Sequence, residues 1–351
     1  MLTYAPMSIR AMSLGFSFAV ACALVGFDAT AEEVAAGEAA ACTLSDTTSP
    51  VPNAELYTAV SGGAPIAKFT GVLLAVRVSA FVSQLAGSRV RVETGDSKKP
   101  YLRIGGFTSP SSFRYFAREN LAIVPGHVWL TKGLEFTPRG AKGAELEFEH
   151  AVLGTRTSDG GPLKLRASIP CGAVALLPPS MDSAEAPKGA RWYHMKTDSV
   201  TIHDEARGKS VLELRMDADV RKVFWSTQTR ADWVHVMAPG DVMIDGWVRA
   251  AELEPLIHAE VFDMNSLAPT PLVAPGLALA EPPKVLTSTT ALPILAKADA
   301  AGLALGSVDV GATFFAMDVS TAWTSVVPTD LAIMPTDGSG FWVKTSTLPK
   351  P

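Results

Sequence analysis

One stretch decides the fold: residues 220–253, VRKVFWSTQTRADWVHVMAPGDVMIDGWVRAAEL. It contains three short runs that are rich in β-branched and aromatic residues, at 220–225, 233–236 and 242–248. This composition is typical of strands, and the turn residues Pro239-Gly240-Asp241 separate the second run from the third. The stretch therefore predicts short β-strands, with a hairpin between the last two.

The same pattern returns near the end of the chain. Six residue pairs lie 90 positions apart without a gap: Asp219 and Asp309, Val220 and Val310, Val223 and Thr313, Trp225 and Phe315, Trp233 and Trp323, and Val236 and Val326. Both stretches then reach a Trp-Val pair followed by Arg or Lys, starting at Trp247 and Trp342, with a leucine six residues after the tryptophan. Because the chain has only seven tryptophans, the matched set indicates an internal repeat.

This motif resembles the C-terminal half of a bacterial Src-homology-3-like domain. The resemblance rests on Trp-x-x-Val, a glycine-containing turn, Gly246-Trp247-Val248 and the final leucine, and it is clearest in residues 190–258 and 284–351. The second copy departs from the family form, since Phe341 stands between the glycine and Trp342. The resemblance implies an all-β fold of tandem small Src-homology-3-like β-barrels.

Two further modules are expected before residue 178. Residues 53–116 are a degenerate copy, because Val76, Phe81, Val92 and Phe107 keep the spacing while Arg89 replaces the first tryptophan. Residues 75–85 fit a helix or a strand equally well. Residues 117–177 are expected to form another β-barrel module on their size and strand-like composition alone. Proline-rich breaks at 178–188 and 269–283 do not suit a sheet, and the second is expected to be a linker.

The N-terminus reads as an export signal. Arg10 precedes an apolar run at 11–27, and Ala29-Thr30-Ala31 offers a small-residue cleavage site. Residues 1–31 are therefore expected to be a signal peptide, followed by a flexible linker at 32–52. An uncleaved anchor is the alternative. Cys22 is a candidate lipidation site, because Ala19-Val20-Ala21-Cys22 loosely resembles a bacterial lipobox.

Composition and charge narrow the functional classes. Hydrophobic residues make up 48% of the chain and charged residues 19%, which is typical of folded domains. The formal net charge is −5, whereas nucleic-acid binding calls for a basic face. In an exported protein Cys42 and Cys171 are candidates for a disulfide, although the sequence leaves open whether they lie close together.

Sequence motifs for catalysis, metal binding or cofactor binding are absent. The six histidines form no zinc-protease motif, and neither a nucleophile elbow nor a phosphate-binding loop occurs. His203-Asp204-Glu205 looks like an acid–base cluster, but it follows a strand into a turn and is interpreted as solvated. His235 lies between two valines and is expected to face away from the core. We therefore expect no catalytic residue, no metal and no cofactor.

The tryptophans are the candidate ligand-binding residues, namely Trp225, Trp233, Trp247, Trp323 and Trp342. Trp247 and Trp342 sit beside valines, which favours the core. Trp225 and Trp233 flank a polar loop at 226–232, which is the better candidate for an exposed binding surface.

The sequence thus predicts an exported, non-catalytic binding or scaffold protein of the bacterial cell envelope. The resemblance implies cell-wall peptidoglycan or envelope proteins as partners. The negative net charge gives no sign of nucleic-acid binding, and no stretch after the apolar run at 11–27 approaches the length of a membrane span, so none is expected in the mature chain. Its location is expected to be periplasmic, secreted, or at the outer membrane if the chain is lipidated. The alternatives are a structural surface lipoprotein without a small ligand and an unrecognised all-β enzyme.

Overall fold

The computed structural model describes residues 42–79, 81, 88–95, 98–152, 164–180, 186–215, 223–238, 240, 242–256 and 283–348. The expected signal peptide, Cys22 and nearly all of the proline-rich linker at 269–283 lie outside these residues. The described part is dominated by short strands, and its helical elements are 3-10 turns of three residues, which confirms the all-β prediction. No helix in this part of the chain is long and apolar enough to cross a membrane.

The strands follow one another closely along the chain. The first six are β1 (Leu44–Thr48), β2 (Glu55–Tyr57), β3 (Pro65–Phe69), β4 (Leu74–Ser79), β5 (Val90–Thr94) and β6 (Leu102–Thr108). The next seven are β7 (Tyr115–Ala117), β8 (Leu121–Val124), β9 (Val128–Leu130), β10 (Glu135–Lys142), β11 (Glu145–Ala151), β12 (Lys164–Pro170) and β13 (Val174–Ala175).

Fourteen further strands complete the described chain. Seven of them are β14 (Arg191–Met195), β15 (Ser199–His203), β16 (Ser210–Arg215), β17 (Val223–Arg230), β18 (Trp233–Ala238), β19 (Val242–Arg249) and β20 (Leu253–Pro255). The last seven are β21 (Lys284–Thr287), β22 (Leu292–Leu295), β23 (Ala304–Val308), β24 (Thr313–Val319), β25 (Trp323–Pro328), β26 (Ile333–Pro335) and β27 (Trp342–Lys344). The 3-10 turns are Pro110–Ser112, Cys171–Ala173, Ala250–Glu252 and Thr345–Thr347.

Three sets of strands share one order of neighbours. The orders are β1-β4-β5-β6-β2-β3, β14-β17-β18-β19-β15-β16 and β21-β24-β25-β27-β22-β23. In each set the fifth strand of this order pairs with the fourth through one aromatic residue of the fourth, with Tyr57 opposite Phe107, His203 opposite Trp247, and Leu295 opposite Trp342. The offset of 90 seen in the sequence holds in the pairing of β17 with β18 and of β24 with β25, including the position of a β-bulge.

The first and last of these sets join into one sheet of 13 described strands. β6 pairs with β23, where Gly306 lies opposite Ile104, and β26 pairs with β3. The Arg103 Nε lies 2.8 Å from Asp309 Oδ2 across this junction. The Tyr101 hydroxyl donates to the carboxylate of Asp330, and burial and that negative charge raise the pKa of Tyr101. Residues more than 200 positions apart thus form one continuous hydrogen-bonded sheet.

Residues 117–177 divide between the two remaining sheets. The hairpin of β8 and β9 joins the nine-stranded sheet through β19, whereas β12-β11-β10-β7-β13 form a separate sheet. None of the three sheets closes on itself within the described residues, since each strand order has open ends. Closed barrels and the module boundaries therefore stay predictions.

Cys42 and Cys171 form a disulfide across 129 positions. The bond ties the chain before β1 to the 3-10 turn after β12. At the end of β1 the Thr48 hydroxyl donates to the carbonyl of Leu176 over 2.9 Å. The bond thus connects the first set of strands to the five-stranded sheet.

Candidate functional site

Five of the seven tryptophans lie on one face of the nine-stranded sheet. They are Trp129 on β9, Trp192 on β14, Trp225 on β17, Trp233 on β18 and Trp247 on β19. Their neighbours along each strand point the other way into the hydrophobic core, as expected from the alternation of a strand. The register brings the five together, because Trp192 lies opposite Trp225 and Trp129 lies opposite Met243. We call this surface the tryptophan face.

Histidine and arginine side chains stack on the indoles. The rings of His203 and Trp233 are 4.8 Å apart, edge to face, and those of His235 and Trp247 are 5.0 Å apart. The guanidinium of Arg249 lies 5.5 Å from the Trp233 ring centre, a distance that allows a cation–π contact. Arg230 stands 5.9 Å from the ring centre of Trp247. The face therefore carries positive charge on an aromatic layer.

The three central tryptophans are buried although they lie outside the contiguous hydrophobic core. Trp233 is 3% exposed and Trp225 and Trp247 are 9% exposed, yet the core cluster contains none of them. The histidine and arginine side chains that contact Trp233 and Trp247 contribute to the burial of these two indoles. The indole N–H of Trp225 is buried and has no acceptor among the described residues. A buried donor without a partner costs about 1–3 kcal/mol.

Hydrogen bonds hold the histidines of this face in place. His235 Nε2 lies 2.6 Å from Asp245 Oδ1, and His203 Nδ1 lies 2.9 Å from the carbonyl oxygen of Gly208. His235 faces away from the core, as its position between two valines predicts. Asp204 and Glu205 are exposed in the turn after β15. Within the described ranges no three His, Cys, Asp or Glu side chains are arranged to hold a metal ion.

Trp323 and Trp342 lie apart from the other five, in the 13-stranded sheet. Trp323 stands opposite Lys344, as Trp233 stands opposite Arg249, and Trp342 stands opposite Ser325. Both are half-buried. The structure thus brings three of the five predicted residues onto one face and leaves two at the corresponding place of another sheet.

Sequence reasoning missed Trp129 and Trp192. Trp129 sits between buried Val128 and Leu130, and Trp192 stands between exposed Arg191 and buried Tyr193, so the alternation in VWL and WYHM marks both strands. Their membership of the same face depends on the pairing of β9 with β19 and of β14 with β17. A local pattern does not contain those pairings.

A cleft of about 970 Å³ lies between the first set of strands and the start of β10. Arg89 lines it, with its guanidinium 3.2 Å from the ring centre of Tyr57. Arg89 Nη1 donates to the carbonyl oxygens of Ala59 and Gly62 over 3.0 and 2.6 Å. The Tyr57 hydroxyl donates to the Glu55 carboxylate, and this hydrogen bond raises the pKa of Tyr57.

The lining of the cleft also includes an ion pair and apolar residues. Arg114 Nε donates to Glu135 Oε1 over 3.0 Å, and Nη2 of the same guanidinium reaches the second carboxylate oxygen. The hydrogen bonds to Glu135 raise the pKa of Arg114. Buried Phe113 and Phe136 form part of the lining. The cleft thus combines charged groups with apolar surface, as small-molecule sites do.

No family model and no curated protein matches this sequence. Two solved structures are similar to part of it, NlpC2 and NlpC1 from Trichomonas vaginalis, each at 10% identity and a TM-score of 0.17. The matches cover 47% and 48% of this chain and 50% and 49% of those chains, so this chain spans about half of their length. At that TM-score no argument about fold or function follows.

Proposed function

We propose that this chain is an exported, non-catalytic binding protein of the bacterial cell envelope. In this proposal it recognises cell-wall peptides or envelope proteins through Src-homology-3-like modules. The shared neighbour order of the three sets of strands supports a modular chain. The five-stranded sheet has part of the same order, because β7-β10-β11-β12 corresponds to β1-β4-β5-β6. A 3-10 turn also follows β12. It is proposed as a fourth module.

One observation carries the binding role: an aromatic residue faces a cation at the same register in two sets of strands. Trp233 lies opposite Arg249 and Trp323 lies opposite Lys344. Aromatic and arginine side chains are enriched where proteins bind partners, because they supply contact area and directed hydrogen bonds at a low entropy cost. The tryptophan face and its counterpart in the 13-stranded sheet are therefore the proposed contact surfaces.

The test is co-sedimentation of the chain lacking residues 1–31 with isolated peptidoglycan sacculi. We expect the wild-type protein to sediment and the double variant Trp247→Ala/Trp342→Ala, once its folding is checked by circular dichroism, to lose at least 90% of that binding. The reason is that half-buried Trp342 contacts the ligand directly, whereas buried Trp247 holds His235 and Arg230 in place at the contact surface.

A second double variant changes exposed side chains only and is therefore less disruptive to the fold. Arg249→Gln/Lys344→Gln removes both cations opposite the tryptophans, and both side chains are exposed. Arg191→Gln is the matched control, since Arg191 is exposed at the start of β14, opposite Ser226 rather than a tryptophan. If folded wild-type protein stays in the supernatant, cell-wall binding is wrong and protein partners remain.

A further inference from the structure

The cleft between the first set of strands and β10 contains a cation, Arg89, that has no acidic partner among the described residues. Arg89 is half-buried and forms no ion pair with any carboxylate of the described residues. In the same cleft Arg114 is neutralised by Glu135, and Glu55 accepts a hydrogen bond from Tyr57. Taking a charge out of water without a counter-ion is costly, so an unpaired half-buried guanidinium favours an incoming anion.

The Arg89 side chain is also held in one orientation. Its Nη1 is tied to the carbonyl oxygens of Ala59 and Gly62, and its plane lies over the Tyr57 ring. These contacts reduce the entropy that a flexible arginine loses when it binds a ligand. A guanidinium is planar and suits a carboxylate, which can accept two parallel hydrogen bonds.

We propose that this cleft binds a free carboxylate, at the end of a short peptide or on a sugar acid, through Arg89. The carboxylate meets Arg89 at one side, and the adjoining part of the ligand lies against Pro110 and Phe113. The peptide source rests on the proposed function, whereas the carboxylate chemistry does not. The site is distinct from the tryptophan face, which lies on the nine-stranded sheet and contributes no residue to the cleft.

Isothermal titration calorimetry of the chain lacking residues 1–31 tests the proposal with three probes. They are N-acetyl-dialanine, its C-terminal amide and glucuronic acid. We expect an acid, the peptide or the sugar, to bind at least tenfold more tightly than the amide, because only an acid carries the negative charge. Equal binding of acids and amide, or no binding of either acid, overturns the proposal.

Two arginine variants locate the site. Arg89→Gln should abolish the preference for the acid, while Arg91→Gln should keep it, since Arg91 is exposed on β5 opposite Phe107 and does not line the cleft. If Arg89→Gln fails to fold, Arg89→Lys keeps the charge without the planar fork and should lower the acid-to-amide ratio at least threefold. An unchanged ratio in a folded Arg89 variant also refutes the assignment.

The outcome is separable from that of the sacculus experiment. Binding of the acid without sedimentation supports the cleft and removes cell-wall binding. Sedimentation without acid binding supports cell-wall binding and refutes the carboxylate site in the cleft. Binding of glucuronic acid in place of the dipeptide assigns the carboxylate to a sugar.

Discussion

At the scale of single residues, Glu149 is a nearly buried carboxylate surrounded by cations. Its side chain is 8% exposed on β11 and lies within ion-pair distance of three cations, with Arg139 Nη2 at 2.6 Å, Arg166 Nε at 2.8 Å and Lys164 Nζ at 3.2 Å. Hydrogen bonds from Arg139, Arg166 and Lys164 lower the pKa of Glu149 from 4.5 to about 2. The carboxylate therefore stays ionised in the folded protein well below the pH at which it is protonated in the unfolded chain.

This shift predicts an acid-dependent loss of stability. A lowered pKa contributes stability that is fully present above pH 4.5 and disappears as the pH falls through about 2. Glu149→Gln should lower the free energy of unfolding at pH 7 by about 1 kcal/mol, a modest value because the three cations are about half exposed or more. Near pH 2 the variant and the wild type should be equally stable.

Urea unfolding followed by circular dichroism between pH 2 and pH 7 measures this difference. Glu147→Gln is the matched control, because Glu147 lies two residues earlier on β11 and forms no ion pair among the described residues. A difference between Glu149→Gln and wild type that stays constant over this pH range contradicts the assignment.

At this scale the sequence predicted the direction in which a side chain points better than how far that side chain is buried. The alternation of side chains along a strand correctly placed His235 away from the core, because this alternation depends only on neighbouring residues of the same strand. The polar loop between Trp225 and Trp233, the better candidate for an exposed surface, is exposed from Thr227 to Asp232, whereas both tryptophans are buried. For Trp233 the cover comes from His203 and Arg249, which lie on other strands. A single strand holds no information about the side chains across the sheet.

At the scale of elements, the disulfide between Cys42 and Cys171 closes a loop of 129 positions. Closing a loop of this length removes chain entropy from the unfolded state worth about 4–5 kcal/mol. The variant Cys42→Ser/Cys171→Ser should lose a stability of that order, which thermal unfolding measures.

Reductant provides the control for this prediction. Dithiothreitol should lower the unfolding temperature of the wild type towards that of the double variant and leave the variant unchanged. If reductant leaves the wild type unchanged as well, the bond contributes nothing to stability in solution.

The elements also show where sequence reasoning ends. The strand-like runs at 233–236 and 242–248 lie within β18 and β19 because β-branched and aromatic residues suit a pleated sheet. The ambiguous run at 75–85 is a strand up to Ser79. The attachment of β9 to β19 was not foreseen, because strands pair through main-chain groups that every residue possesses. Such a contact carries little signature in the side chains.

At the scale of the whole molecule, the junction of β6 with β23 depends on a close approach at Gly306. A Cβ atom there would lie 2.0 Å from the carbonyl oxygen of Arg103, closer than atoms can approach, so even a methyl group must displace one strand. Gly306→Ala is therefore expected to loosen the pairing and to raise amide hydrogen exchange in β6 and β23 at least tenfold.

The control is Gly172→Ala, because a Cβ atom at that position meets nothing within 4 Å. Hydrogen exchange read by mass spectrometry should show no change in β6 or β23 for this variant. Unchanged protection of both strands in Gly306→Ala would refute the close approach.

The pairing of β6 with β23 also has a consequence during translation, because the two strands are synthesised at different times. A ribosome that has completed β6 must still add about 200 residues before β23 exists, which takes on the order of 10–40 s at the usual rates of translation. Until then the outer edge of β6 presents main-chain donors and acceptors with no strand of its own chain to receive them. Until β23 has been synthesised, the nascent chain therefore has an unpaired strand edge that can pair with another chain. The rate of translation sets how long this edge stays unpaired, so slow translation of the residues between β6 and β23 increases aggregation.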